Sequence, residues 1–188
     1  MRKDETMNRS GFDKLYWGFL FVMIDFKIQG FDILPDIVGY ILFAIGFSIL
    51  AERSTYFKKS SKYNVPMIIL SILSIYEPQN QKSGIQLGQF GLLSIPIAIA
   101  GLVFSLIVVY NLFMGIKDMA QTQGQMSYFH EADSKWRQFL TLQIAVLFAF
   151  VLIFIPVVAL IYIIGIFVAS VTITVGIMRF IKSCGEDL

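Results

Sequence analysis

The stretch FLTLQIAVLFAFVLIFIPVVALIYIIGIFVASVTITVGIMRFI, residues 139–181, runs for 43 positions with Arg179 as its only formal charge. About 20 apolar residues suffice for a helix to cross the roughly 30 Å hydrocarbon core of a bilayer, so this run holds about two spans. As one unbroken helix it would reach about 60 Å. Two helices sharing it, with a tight turn at Ile155 and Pro156, is the arrangement it favours, and it predicts spans over 136–154 and 157–181.

The rest of the chain has the same character. It is 56% hydrophobic and 15% charged, with 18 phenylalanines, where a soluble domain carries about a quarter charged residues. Because the apolar runs recur throughout, residues 1–188 read as one integral membrane domain whose main partner is the lipid bilayer. The formal net charge of +2 is too small to point to nucleic acid. Four further spans are expected, at about 14–28, 34–51, 62–76 and 91–115, with Pro96 as a bend in the last. The third is the shortest run, only 12 residues from Val65 to Tyr76 and starting beside Pro66, so it must start earlier, near Lys59, or be re-entrant. The fold class is all-α, a polytopic membrane helix bundle of six transmembrane helices.

Lys and Arg set its orientation, because cytosolic segments keep an excess of them. The polar tail to Lys14 holds four, residues 51–64 four, 115–138 three and the C-terminal end two. The opposite side holds Lys27 and Lys82, so the count is thirteen against two of the fifteen. N-in and C-in follows. Arg53, Lys58, Lys59 and Lys62 stand among Tyr56, Phe57 and Tyr63, a mixture suited either to anionic lipid at the membrane surface or to an ordinary cytosolic loop.

The same orientation puts residues 24–40, IDFKIQGFDILPDIVGY, at the outer face. Gly30 and Pro35 mark a turn, Asp32 can cap the second helix, and Asp36 falls in its first turn, where a carboxylate meets the positive end of the helix dipole. Ionisable residues at membrane depth mark functional sites by default. Asp25, Lys27, Asp32 and Asp36, with Tyr40, are therefore the candidate ligand-binding residues for a cation or small polar solute, with Glu77 and Asn111 as weaker contributors. The alternative is that the four charges sit in headgroups and cap helix ends.

Small residues allow close approach between membrane helices. Gly165, Ala169, Thr172 and Gly176 form one stripe of the sixth helix, and Gly91, Ser94, Ala98, Gly101 and Ser105 one stripe of the fourth. These two helices are expected to pack together near the bundle centre.

No G-x-S-x-G elbow, H-E-x-x-H pair, Walker A loop or paired-glutamate protease motif occurs. Cys184 is the lone cysteine, which excludes a CxxC redox pair and a thiolate metal cage. The single histidine, His130, stands beside Glu131 and Asp133 in a hydrophilic segment that includes QTQGQ at 121–125, and reads as a solvated loop. The expectation is therefore a non-enzyme, with no catalytic residue, metal or cofactor.

The segment GFDILPDIVGY, residues 30–40, resembles a signature of small, uncharacterised multi-span membrane proteins of Gram-positive bacteria, with a weaker echo at Tyr76-Glu77-Pro78. The likeness implies a bacterial plasma-membrane location and transfers no catalytic role. In size and helix count the chain is also similar to the substrate-capturing subunits of energy-coupling-factor vitamin transporters, although its first helix lacks their A-x-x-x-A docking face. A structural or regulatory partner in a membrane complex is the leading functional expectation, and a transporter or solute-binding subunit the alternative.

Overall fold

The computed structural model describes residues 2–23, 27–28, 31–32, 36–74, 94–152 and 154–188. Six helices account for nearly all of them: α1 (Arg2–Met23), α2 (Asp36–Leu50), α3 (Thr55–Ser74), α4 (Ser94–Thr122), α5 (Met126–Leu152) and α6 (Pro156–Asp187). Between α1 and α2 two short strands, β1 (Lys27–Ile28) and β2 (Phe31–Asp32), pair antiparallel with Lys27 opposite Asp32 and Ile28 opposite Phe31. Each of α2 to α5 packs against its sequence neighbours, and α6 packs against both α5 and α1, so the six helices close a ring.

The ends of these helices follow from local chemistry. Pro156 opens α6, where its missing N–H would have no acceptor. The α5 to α6 turn therefore falls at the expected Ile155 and Pro156. Ser54 caps α3 by accepting from the Tyr56 amide at 3.3 Å. Gly124, at φ +72°, ends α4, with the Gln125 amide reaching back to the Ala120 carbonyl at 2.8 Å and the Gly124 amide to that of Gln121 at 3.2 Å. That left-handed closure is open to glycine without strain.

Several boundaries differ from those expected. The tail before Lys14 is the first half of α1, which stops at Met23, and Lys27 and Ile28 lie in β1 rather than in a helix. The basic stretch 55–62 is the first half of α3, with Pro66 inside the helix. Asp32 lies in β2, four residues before α2 begins, whereas Asp36 does occupy the first turn of that helix. Pro96 is in the first turn of α4 and bends no span. The hydrophilic segment after Ile116 is helical on both sides of a three-residue turn. Hydropathy marks where apolar surface stops, and these helices continue past that point because their polar turns bury Asn8, Phe12, Phe57 and Ala132 against one another.

The core occupies one end of the ring. Phe12, Leu15, Phe47, Leu50, Phe57, Leu112, Phe113, Ile116, Ile177, Ile181 and Cys184 are almost wholly buried. They come from the early turns of α1 and α3 and the late turns of α2, α4 and α6, which lie together in an antiparallel bundle. The charged residues of the described helices, except Asp36, cluster at this same end. Two helices, Ile95–Thr122 and Pro156–Asp187, are long and apolar enough to cross a membrane. In a soluble protein such a helix would be mostly buried, yet only 28% and 11% of their most apolar windows are.

The closest packing joins α1 to α2 through glycines seven residues apart on each. A Cβ on Gly46 would stand 2.8 Å from the Gly11 carbonyl oxygen, and one on Gly39 would stand 2.8 Å from that of Gly18. Conversely, a Cβ on Gly11 would strike Leu50 at 2.7 Å and one on Gly18 would strike Phe43 at 2.5 Å. These contacts run antiparallel at two levels. The expected pairing of α4 with α6 through their small-residue stripes is not found, although the rings of Phe113 and Phe180 bring the two helices into contact at 6.4 Å. The main neighbours of α4 are α3 and α5, Gly101 is 4.0 Å from Leu70 of α3, and Gly165 has nothing within 4 Å of its Cβ position.

Gly39→Leu and Gly46→Leu should each destabilise the bundle by about 1–3 kcal/mol, the usual range for overpacking, whereas Gly165→Leu should not. Thermal unfolding in mild detergent checks this, and equal midpoints for all three variants would contradict the α1 to α2 contact.

Candidate functional site

Two concave features follow from this architecture. The first is a cavity of about 130 Å³ in the middle of the ring, lined by residues of all six helices. Phe19 and Val22 come from α1, Tyr40 and Phe43 from α2, Met67 from α3, Ser105, Val108 and Val109 from α4, Phe139 and Gln143 from α5, and Thr174 from α6. Phe43 is held edge-on to Phe19, with ring centroids 4.9 Å apart, and also contacts Tyr40 at 6.2 Å. Asn64, wholly buried on α3, donates to the Tyr40 carbonyl at 2.6 Å, and Ser60 donates to the Val108 carbonyl at 3.1 Å. Two α3 side chains thus fix the backbones that carry Tyr40 and Val108.

The second feature is an open groove of about 410 Å³ between α5 and α6, lined by Leu142, Ala145, Tyr162, Gly165, Ile166 and Ala169 among others. Tyr162 spans it, donating to the Ala145 carbonyl at 3.1 Å. Around this groove much of the hairpin is exposed: Phe154 is 85% exposed, Val157 72% and Phe167 68%.

The residues singled out from the sequence are distributed unevenly. Asp25 and Glu77 lie outside the described residues. Lys27 and Asp32 are cross-strand partners in register. Asp36 and Tyr40 stand one helical turn apart on α2, both partly buried, with Tyr40 at the cavity. Asn111 is buried and donates to the Ile107 carbonyl of its own helix at 2.7 Å, away from any such cluster. Gly165 and Ala169 line the groove; a Cβ on Gly176 would stand 3.4 Å from the Lys135 ammonium, and exposed Thr172 donates to the Val168 carbonyl at 2.8 Å. Gly101 touches neither feature. Ser105, Gln143 and Thr174 went unnoticed as site residues because a single uncharged polar residue in an apolar run carries no signal of its own.

At the charged end a polar belt ties the helices together. Asn8 donates to the Leu188 main-chain oxygen at 3.0 Å and accepts from Arg53 Nε at 2.8 Å. Gln123 and Gln125 of the glutamine-rich turn donate to the main-chain oxygens of Leu188 and Asp187 at 2.6 and 3.4 Å, and Tyr128 donates to the Asp187 carboxylate. Ser54 donates to Asp118 at 2.6 Å. Lys117 pairs with Asp133 at 2.8 Å and lies over the Phe129 ring, Arg137 approaches Asp133 at 3.5 Å, and Lys135 approaches Glu131 at 3.6 Å. The acidic residues beside His130 therefore face cations, and no group of metal-binding side chains occurs among the described residues. Of the four basic residues proposed for lipid, Lys58, Lys59 and Lys62 are exposed on α3, while Arg53 is engaged with Asn8.

No protein-family model, curated protein or solved structure matches this chain.

The hydrogen bond from Lys117, with the charges of Lys117 and Arg137, holds the Asp133 carboxyl below its ordinary range. A carboxyl depressed on folding stabilises the fold above its unfolded pKa, about 4, and loses that contribution as pH falls through the folded value. Lys117→Met should remove most of this dependence. Unfolding midpoints followed between about pH 6 and pH 3 should fall more steeply for the parent than for the variant, and superimposable profiles would exclude the pair as a source of stability.

Proposed function

We propose that the chain is a multi-pass protein of a bacterial plasma membrane, with six helices crossing the bilayer and both described ends on the cytosolic side. In this reading it has no catalytic role and serves as a structural or regulatory partner within a membrane complex. The α5 to α6 hairpin carries the proposal. Most of the apolar side chains of α6 between Pro156 and Val171 are exposed, and its groove offers Gly165, with nothing within 4 Å of its Cβ position, and Ala169. Lipid can cover such a surface, but a small-residue groove of this kind is shaped for a helix from another membrane protein.

The one-ended distribution of charge supports the orientation. The uncharged portions of α4 and α6, residues 94–116 and 156–178, rise about 34 Å each at 1.5 Å per residue, enough for the hydrocarbon core. Those of the other four helices are shorter and would be completed by tilt, local thinning of the bilayer or neighbouring residues outside the described set. Exposed Lys58, Lys59 and Lys62 would then lie against the anionic cytosolic leaflet. The resemblance of residues 30–40 to multi-span proteins of Gram-positive bacteria points to the same location.

Two measurements test this. On a Cys184→Ser background, Lys59→Cys and Gln121→Cys should be shielded from an impermeant thiol reagent in intact cells, while Phe154→Cys should react; labelling of Lys59 and Gln121 from opposite sides would overturn the topology. A photo-crosslinker at Gly165 or Ala169 should give one protein adduct of defined mass that a crosslinker at exposed Ile99 of α4 does not. Lipid adducts alone at both places would overturn the partner role.

A further inference from the structure

We infer that the central cavity is a binding site for a small uncharged molecule with one hydrogen-bonding end, about the size of a four- or five-carbon alcohol or amide. This goes beyond the partner role of the α5 to α6 hairpin and rests on a different part of the molecule. About 130 Å³ is close to the cavity size that holds a benzene, so the volume limits the occupant to a handful of heavy atoms.

The lining defines its chemistry. Gln143 and Ser105 approach from α5 and α4, Tyr40 and Thr174 from α2 and α6, and the rings of Phe43 and Phe139 supply apolar wall. None of the lining residues bears a formal charge. A charged ligand would therefore lose its hydration without gaining a counter-ion, a loss of many kcal/mol in an apolar setting. A purely apolar ligand would leave Ser105 and Gln143 unanswered. Ser105 and Gln143 are partly buried, and neither makes a hydrogen bond with another described residue, so both can meet the polar end of a ligand. An amide and a hydroxyl that line one cavity with aromatic walls match an amphiphile, whose head they would bind while its tail lies against the rings.

The cavity is also assembled in a way that suits a specific site. Its members come from six separate helices, so it exists only when the whole ring is closed. Asn64 and Ser60 hold two of its walls through backbone carbonyls, which fixes positions before any ligand arrives.

Isobutanol and its charged counterpart isobutylammonium, presented to the full chain in lipid nanodiscs, test the assignment by saturation-transfer NMR. Isobutanol should give a saturable signal that Ser105→Phe, which fills the space, abolishes. Gln143→Leu, close in size and without the amide, should weaken it by about 3–10-fold, the equivalent of one hydrogen bond, with an unchanged thermal midpoint. Isobutylammonium should give no saturable signal. Gln143→Leu keeps the proposal testable should Ser105→Phe fail to fold. Signals equal in the parent and Gln143→Leu would mean partition into lipid only, and would overturn the site. So would the absence of saturation, which would leave a water-filled gap, or tighter binding of isobutylammonium.

Discussion

Two helix backbones can touch only where neither carries a side chain, and the bundle is arranged around the one interface where that happens. Gly11 and Gly18 on α1 face Gly46 and Gly39 on α2, with carbonyl oxygens within 3 Å of where a methyl group would stand. This close approach brings Phe19 onto Phe43 and sets up a run of aromatic contacts, through Phe47 and Phe57 to Phe12, that fills the charged end of the ring. Gly115 repeats the device at lower extent, admitting the Phe57 ring against α4. Such fitted surfaces and interhelical hydrogen bonds give cohesion even where no hydrophobic drive acts between helices.

That arrangement divides the molecule into two halves of different character. At the charged end, buried aromatic rings and a belt of hydrogen bonds from Asn8, Arg53, Ser54, Gln123 and Tyr128 leave little freedom. Towards the other end the helices enclose only a small cavity, and α5 and α6 project apolar side chains outward. The rigid half positions the open one.

How much of this could be read from the sequence depended on whether one residue or several carried the signal. Pro156 alone fixes a turn inside an uninterrupted apolar run, and Asp36 alone marks a helix start, so both were legible. The starts of α3 and α5 were not, because Lys58 and His130 look like loop residues until Phe57, Ser60 and Ala132 are seen buried beside them. The glycine pairs were written in the sequence at seven-residue spacing, but Gly11 sits among Asn8, Arg9 and Asp13, where a lipid-based search for packing faces does not look. The stripe on α6 obeyed the spacing rule more closely, and yet the Cβ position of Gly165 has nothing within 4 Å. The cavity was illegible for a simpler reason: Ser105, Gln143 and Thr174 acquire meaning only through their common neighbours.

The clasp between Asn8 and Leu188 joins residues 180 positions apart. At about 5–20 residues per second on the ribosome, the first helix waits on the order of ten seconds or longer for the last. During that interval α1 and α2 are already able to zip together, while the flank of α1 destined for α6 stays uncovered. Biogenesis of this protein therefore has a natural order, an early hairpin followed by a late keystone, and the flank of α1 stays open to other proteins until α6 has been made.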